Sequence, residues 1–402
     1  MKPKPRVLMI TGAYYPELSG GGLQARAVVR ALARDVEFSV LTTSTNRSLP
    51  AVAVEDKVQI RRVYVDVRSV PSELVGALRL AVAFMRLAAH VDIVNLHGFS
   101  RKTMLFVGLS RLFGKAFILT LQTGVQDEPA AVRRTGRLAY WAYTNADLYL
   151  SVSPGLSKAY LEAALPAARL RQVCNAVDTD RFRPASADER RSLRVQLQLP
   201  EETPIVLFVG VFTQDKRPHL LYAAWARLAA AGVPSAIVFV GATRPINQEI
   251  DPGLGADIRA RAAADGLSEH VFFVESSHTI DQYFRAADIY VLPSIREGLS
   301  IALLEAMSSG LPCVVSQLPG STDVLIEHGK NGMLVRPDDQ EAFTEAIESL
   351  VRHRDLARML GAAARETVVE RYSIQRTAGA WLAAYREVAD SGRPAASDRG
   401  HG

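Results

Sequence analysis

Short apolar runs rich in β-branched residues alternate along the chain with helix-length segments whose apolar positions return every three or four residues. In the first half these runs predict strands at 6–10, 38–42, 60–65, 92–97, 117–122, 148–153 and 171–177. After a charged stretch ending at Pro200 a second series begins, with strands predicted at 205–209, 237–241, 271–274, 289–292, 313–316 and 333–335. Strand and helix alternating in this way predict an α/β fold around mostly parallel sheets. The same grammar in both halves predicts two lobes, residues 1–178 and 179–373, followed by a helix at about 374–388 and a polar tail, 391–402, expected to be disordered.

Composition changes this picture little. A chain of 402 residues, 48% hydrophobic and 22% charged, is long enough for two full cores and ordinary for a globular protein. The net charge of +5 is spread along the chain with no basic arm, which argues against nucleic acid as a partner. Cys174 and Cys313 are the only cysteines, too few for a disulfide framework or a zinc site; they fit a reducing cytoplasm and read as small buried hydrophobes. The basic start, Met1 to Arg6, runs straight into a strand-length apolar segment and lacks the apolar core and cleavage site of a signal peptide. The most apolar helical stretch, 74–89, carries Arg79 and Arg86 on one face, so it is amphipathic and not membrane-spanning. Packing on a sheet is the favoured reading of that stretch, and a membrane-surface helix is the alternative.

Candidate chemistry concentrates in 287–310. The apolar run 289–292 is broken by Pro293, and a helix predicted over 300–309 stops at Gly310, so Glu297 sits on a strand-to-helix turn. In an open parallel sheet, ligands bind beyond the carboxyl ends of the strands, which puts this carboxylate where a substrate would lie. The amides of Gly298, Leu299 and Ser300 at the following helix start suit an anion. A carboxylate for hydroxyls beside amides for phosphates matches a nucleotide sugar. Glu305 follows eight residues after Glu297.

This E-x7-E spacing, with Pro293-Ser294 before it and Gly310-Leu311-Pro312 after it, resembles the signature of the retaining GT-B glycosyltransferases of family four (glycosyltransferases group 1). The resemblance implies two Rossmann-like lobes with a cleft between them, an acceptor-binding lobe first and a donor-binding lobe second. It also implies that the helix at 374–388 crosses back onto the first lobe. The loop Tyr14 to Gly22 looks like the family's Y-P-x-x-G-G loop, which makes Gly20, Gly21 and Gly22 candidates for phosphate or acceptor contact. The segment 92–98 resembles D-h-V-H-x-H with Asn95 for the first His and His97 kept at the strand end. The family's T-x-H position is Gln122 here, an amide that cannot exchange protons at neutral pH.

At 206–218 the chain is similar to V-G-R-x-x-x-x-K, the pair that neutralises the diphosphate. Lys216 fits the spacing, but Val211 stands at the Arg position, and Arg217 or Arg244 is left to compensate. The joint at 173–184 resembles P-N-G-V-D-x-x-x-F-x-P, with Cys174 and Ala176 for its Pro and Gly.

Taken together, the resemblance implies transfer of a sugar, with retention, from a nucleoside diphosphate sugar to a glycan, lipid-linked or small-molecule acceptor. Glu297, His97 and Gln122 are the candidate catalytic residues; Lys216, Arg217, Gly298, Leu299, Ser300 and Glu305 are the candidates for donor binding. No cofactor and no metal are expected, and the localisation expected is cytoplasmic, with peripheral contact at the inner membrane face left open. The rivals are a sugar-binding or scaffold protein of the same fold with impaired catalysis, suggested by Val211 and Gln122, and a nucleotide-sugar epimerase.

Overall fold

The structure, a computed structural model, describes residues 3–17, 19–66, 69–243, 250–275 and 277–391. It forms two compact units: one runs to Asn175 and resumes at Thr377, and the other is Ala176–Arg376. The division thus falls slightly before the expected 178. The reason is local: Val177 N donates to Tyr372 O at 3.0 Å and Ile374 N returns to Val177 O at 3.0 Å, tying the joint to the second unit. The strand expected over 171–177 is accordingly split, its start lying in the first sheet and Val177 forming an isolated bridge with Ser373.

In the first unit the strands are β1 (Arg6–Thr11), β2 (Glu37–Ser44), β3 (Val52–Glu55), β4 (Val58–Tyr64), β5 (Ile93–His97), β6 (Ala116–Leu121), β7 (Leu148–Ser151) and β8 (Leu170–Gln172). They form one sheet in the order β3-β4-β2-β1-β5-β6-β7-β8. Every pairing is parallel except β3 with β4, a hairpin whose turn residues Asp56 and Lys57 have φ of 50° and 65°. Two left-handed residues match the strand twist in such a turn, but Asp-Lys lacks the glycine that usually announces it, which is why β3 was not predicted.

The helices of this unit are α1 (Gly20–Leu32), α2 (Val70–Ala88), α3 (Lys102–Leu112), α4 (Pro129–Thr135), α5 (Arg137–Thr144) and α6 (Pro154–Glu162). The crossovers β4 to β5, β5 to β6 and β6 to β7 all step the same way across the sheet, so right-handed connections put α2, α3 and α5 on one face. The β1 to β2 crossover steps the opposite way, which sends α1 to the other face.

In the second unit α7 (Ala187–Gln196) precedes β9 (Ile205–Val209), α8 (Pro218–Ala230), β10 (Ala236–Val240), α9 (Pro252–Ala264), β11 (Val271–Val274) and α10 (Ile280–Ala286). Then come β12 (Ile289–Leu292), α11 (Ile301–Ser308), β13 (Cys313–Ser316), β14 (Met333–Val335), α12 (Gln340–Arg352) and α13 (Arg354–Arg371). The sheet is wholly parallel, in the order β11-β10-β9-β12-β13-β14. Its strands β9 and β12 are buried throughout, as a parallel sheet covered on both faces requires.

The last helix, α14 (Ile374–Asp390), places Trp381, Ala384 and Tyr385 in the first unit's core beside Val7, Met9 and the α1 residues Ala25, Val28 and Val29. Of the tail expected to be disordered, 392–402 lies outside the described residues. Cys313 is buried as expected, whereas Cys174 is only half-buried. Its carbonyl accepts from Trp381 Nε1 at 3.3 Å, so the residue lies at the edge of the core and not inside it. Among the described residues no helix is long and apolar enough to cross a membrane.

Candidate active site

Strand order decides where chemistry can sit. In the second sheet the chain winds one way from β9 through β10 to β11 and the other way from β12 through β13 to β14, so β9 and β12 flank the switch point. Loops leaving the two strands there diverge and open a crevice at their carboxyl ends. Lys216 lies on the loop after β9 and Glu297 on the loop after β12.

The loop after β9 is held tightly. Gly241, at φ 154°, lets the β10 end press on the β9 end: a Cβ there would stand 1.9 Å from the Gly210 carbonyl oxygen. Beyond Val211, Phe212 is fully buried against Phe208 and Phe239, with ring centroids 6.0 and 5.8 Å away. The loop then meets its neighbour through consecutive residues of opposite charge. Asp215 pairs with Arg296 and accepts Ile295 N on its carbonyl at 2.9 Å, while Lys216 Nζ donates to Glu297 Oε1 at 2.5 Å. The Glu297 side chain is 7% exposed and that of Lys216 26%. Asp215 and Arg296 carry no motif and were not paired from the sequence.

Arg217 is used differently. It caps α8 at φ 53°, and its Nη1 donates to Pro337 O and Asp338 Oδ1, both at 2.8 Å. Arg244, the other candidate for a compensating cation, lies outside the described residues.

Gly298, Leu299 and Ser300 are buried, and the helix begins one residue after them. Ser300 caps α11: its Oγ accepts Leu303 N at 3.4 Å and its carbonyl accepts Leu304 N at 3.1 Å. The amides left without an intrahelical partner are therefore those of the first turn, at Ile301 and Ala302. These free amides directly follow the candidates Gly298, Leu299 and Ser300.

Glu305 projects from α11 into a dry setting. It is buried, and its carboxyl group makes no hydrogen bond or ion pair among the described residues. Burial pushes its pKa up to about 8; the Arg181 charge lowers it and Asp281 raises it further. Ser294 Oγ just past β12 and Ser316 Oγ at the end of β13 are also buried without a partner among the described residues. Buried polar atoms are ordinarily satisfied, so each of these groups has hydrogen-bonding capacity left for a ligand.

The first unit has its own switch point between β1 and β5. After β1, Ser19 caps α1, with Oγ accepting Gly22 N at 3.1 Å and its carbonyl accepting Leu23 N at 2.8 Å. Gly22 is required by contact, since a Cβ would come within 2.3 Å of the Ala13 oxygen, whereas Gly20 and Gly21 face open space. A ligand could therefore approach the Gly20 and Gly21 backbone closely.

At the end of β5, His97 is buried and stacks on Trp381 of α14, centroids 5.8 Å apart and planes 17° apart. Gln122 Nε2 lies 3.2 Å from His97 Nδ1. With the amide as donor, the ring carries its proton on Nε2, which is buried without a partner among the described residues. Burial lowers the His97 pKa to about 3, so the ring is neutral at physiological pH. Asn95, at the family's other His position, donates to Tyr385 Oη at 2.8 Å and accepts from Thr120 Oγ1 at 2.8 Å, a structural use.

The sequence reading missed Asp127, which is fully buried. Its carboxylate accepts Phe99 N at 2.8 Å, Gln122 N at 2.6 Å and Thr123 N at 3.0 Å, fixing the loops that carry His97 and Gln122. Asp127→Asn keeps one acceptor oxygen and turns an NH2 toward backbone donors. It should lower unfolding stability by about 3 kcal/mol, read as a reduced urea midpoint at unchanged slope.

The described residues hold no group of three or more His, Cys, Asp or Glu that could hold a metal ion. The geometry brings together Lys216 with Glu297, and His97 with Gln122.

Comparison with known proteins gives a consistent result. The family model "Glycosyltransferase Family 4" matches residues 18–181, and "Glycosyl transferases group 1" matches residues 189–367. Alpha-maltose-1-phosphate synthase of Mycolicibacterium smegmatis is 30% identical over 410 residues, covering 95% of this chain and 99% of that protein. Among solved structures, sucrose-phosphate synthase from Thermosynechococcus elongatus superposes with a TM-score of 0.81 at 22% identity, covering 96% of this chain and 100% of the other. The Anabaena protein HepE, solved with UDP and glucose, superposes with a TM-score of 0.74 at 17% identity, covering 96% and 99%.

Proposed function

We propose that this chain, which belongs to the group 1 glycosyltransferases of family 4 and has their GT-B fold, transfers a sugar with retention from a nucleoside diphosphate sugar to an acceptor bound by its first unit. The observation that carries the reading is the Lys216–Glu297 pair at the switch point of the second sheet. There a cation suited to a diphosphate and a carboxylate suited to sugar hydroxyls share one spot, beside the start of α11. Glu305, buried and unpaired, is assigned the nucleotide ribose, whose two hydroxyls would satisfy it.

Lys216 and the first amides of α11 do the work that a divalent ion does in other nucleotide-sugar enzymes, so no metal is required for leaving-group stabilisation. Lys216 is a point charge and lacks the fork of the arginine that Val211 replaces, so the diphosphate is held with less directional control. His97 is neutral and has an Nε2–H to donate, which suits it to binding a sugar hydroxyl and not to shuttling protons.

Val211 and Gln122 favour a second reading, a binding protein of the same fold with weak catalysis. One experiment separates the two. The purified chain is incubated with a panel of nucleoside diphosphate sugars, beginning with UDP-glucose because of the HepE complex, and nucleoside diphosphate release is followed with glycans, lipid-linked sugars and small phosphorylated sugars as acceptors. Acceptor-dependent release, with an α-linked product from an α-linked donor by proton NMR, supports the proposal. Donor binding by calorimetry without release under any pairing would leave the binding-protein reading standing.

A further inference from the structure

The outer side of the α2, α3 and α5 layer departs from what an outer helix face should be. An amphipathic helix on a sheet turns its apolar side inward and its polar side to water. Here Leu74, Leu78 and Met85 recur along the outer side of α2, Leu112 ends α3, and Leu138 and Trp141 lie three apart on α5, all between 41 and 77% exposed. The helices that carry them pack side by side, α2 on α3 and α3 on α5, and Arg111 of α3 lies over the Trp141 ring of α5 at 5.4 Å.

Charge selects the occupant. The helices α2, α3 and α5 carry the exposed arginines Arg79, Arg86, Arg111 and Arg137, but only one carboxylate, Glu73, which Arg101 pairs at 3.3 Å. A second copy of the chain meeting this face across a twofold axis would set arginine against arginine with no carboxylates to answer them. A bilayer rich in anionic lipid answers both features, since its headgroups pair with the arginines while its outer acyl region accepts the leucines and Trp141. We propose that the outer face of α2, α3 and α5 docks this protein on the surface of an anionic phospholipid bilayer. The inference stands on one unit's surface and is independent of the reaction assigned above.

The test is co-sedimentation of the full chain with vesicles of phosphatidylcholine alone and of phosphatidylcholine with phosphatidylglycerol, at low and physiological salt. Binding to the anionic vesicles is expected to exceed binding to the neutral ones by about tenfold or more and to weaken with salt. Leu74→Gln with Leu78→Gln, and separately Arg79→Ser with Arg86→Ser, should each lower anionic-vesicle binding by about tenfold. The substituted side chains are exposed, and an unchanged melting temperature certifies the fold. Equal partitioning of the wild type onto both vesicle types, or wild-type binding by both double variants, overturns the proposal. Self-association in sedimentation velocity that the leucine variant abolishes, with no vesicle binding, would also overturn it and assign the face to a second copy.

Discussion

Glu305→Gln is expected to raise the melting temperature and at the same time weaken nucleoside diphosphate sugar binding, two effects of opposite sign from one atom. In the folded chain the carboxyl keeps its proton up to about 8, against an ordinary value of 4.5. Between those pH values the native state binds more protons than the unfolded state, so this group makes stability fall as pH rises through the window. Above about 8 the penalty is complete and constant; below 4.5 it is absent. Glutamine does not titrate, so the gain of the variant over wild type should be near zero at pH 4.5, grow as pH rises, and reach on the order of a few kcal/mol near pH 8. Melting curves of both proteins across that range check it.

Donor binding should respond the other way. A carboxylate that accepts two ribose hydroxyls contributes roughly 1.5–3 kcal/mol per bond, and an amide accepts less strongly and brings donors of its own. Calorimetric titration near pH 8 should therefore show affinity lower by about ten- to a hundredfold. A helix carboxylate of purely structural use would lose stability on replacement and leave affinity unchanged, the reverse on both axes. Residues that are costly to the fold and profitable to the ligand are what a binding site is made of.

The architecture was legible because burial in a parallel sheet writes itself as short apolar runs. Of the predicted strands, Ile205–Val209, Val271–Val274, Ile289–Leu292, Cys313–Ser316 and Met333–Val335 have the predicted bounds. The antiparallel edge strand β3 was not legible: its residues are half in water and its turn has no glycine. Site residues followed the same logic. Glu297, Glu305 and Lys216 stand in motifs with fixed spacing, and strand order then explains why the loops of Lys216 and Glu297 meet. Asp127 and Trp381 could not be found that way, because each acts through tertiary contact. Asp127 binds amides on two loops, and Trp381 reaches His97 from 284 positions away along the sequence. The helix predicted from 300 starts at Ile301, because Ser300 caps it instead of joining it.

Glu297→Gln is expected to lower turnover by about a hundred- to a thousandfold, the scale of losing one preorganised electrostatic contact to a reacting centre. In the proposed mechanism this carboxylate orients the transferred sugar and opposes positive charge growing at its anomeric carbon. The structure adds a second expectation. Without donor, Glu297 neutralises Lys216 at 2.5 Å, so an incoming diphosphate must compete for the ammonium. Removing that competitor should leave nucleoside diphosphate affinity unchanged or tighten it by up to about tenfold, even as turnover collapses.

The partner substitution should behave otherwise. Lys216→Ala strands a carboxylate whose side chain is 7% exposed, whereas Glu297→Gln strands an ammonium that is 26% exposed and can draw on water. Stability should therefore fall by a few kcal/mol for Lys216→Ala and by distinctly less for Glu297→Gln, and only Lys216→Ala should weaken nucleoside diphosphate binding. Turnover, diphosphate affinity and melting temperature measured on both variants and on the double variant complete the cycle. Because both side chains serve one site, their turnover effects should be far from additive. Near-wild-type turnover by Glu297→Gln, or equal loss of diphosphate affinity in the two single variants, would reduce the pair to a structural tie between two loops.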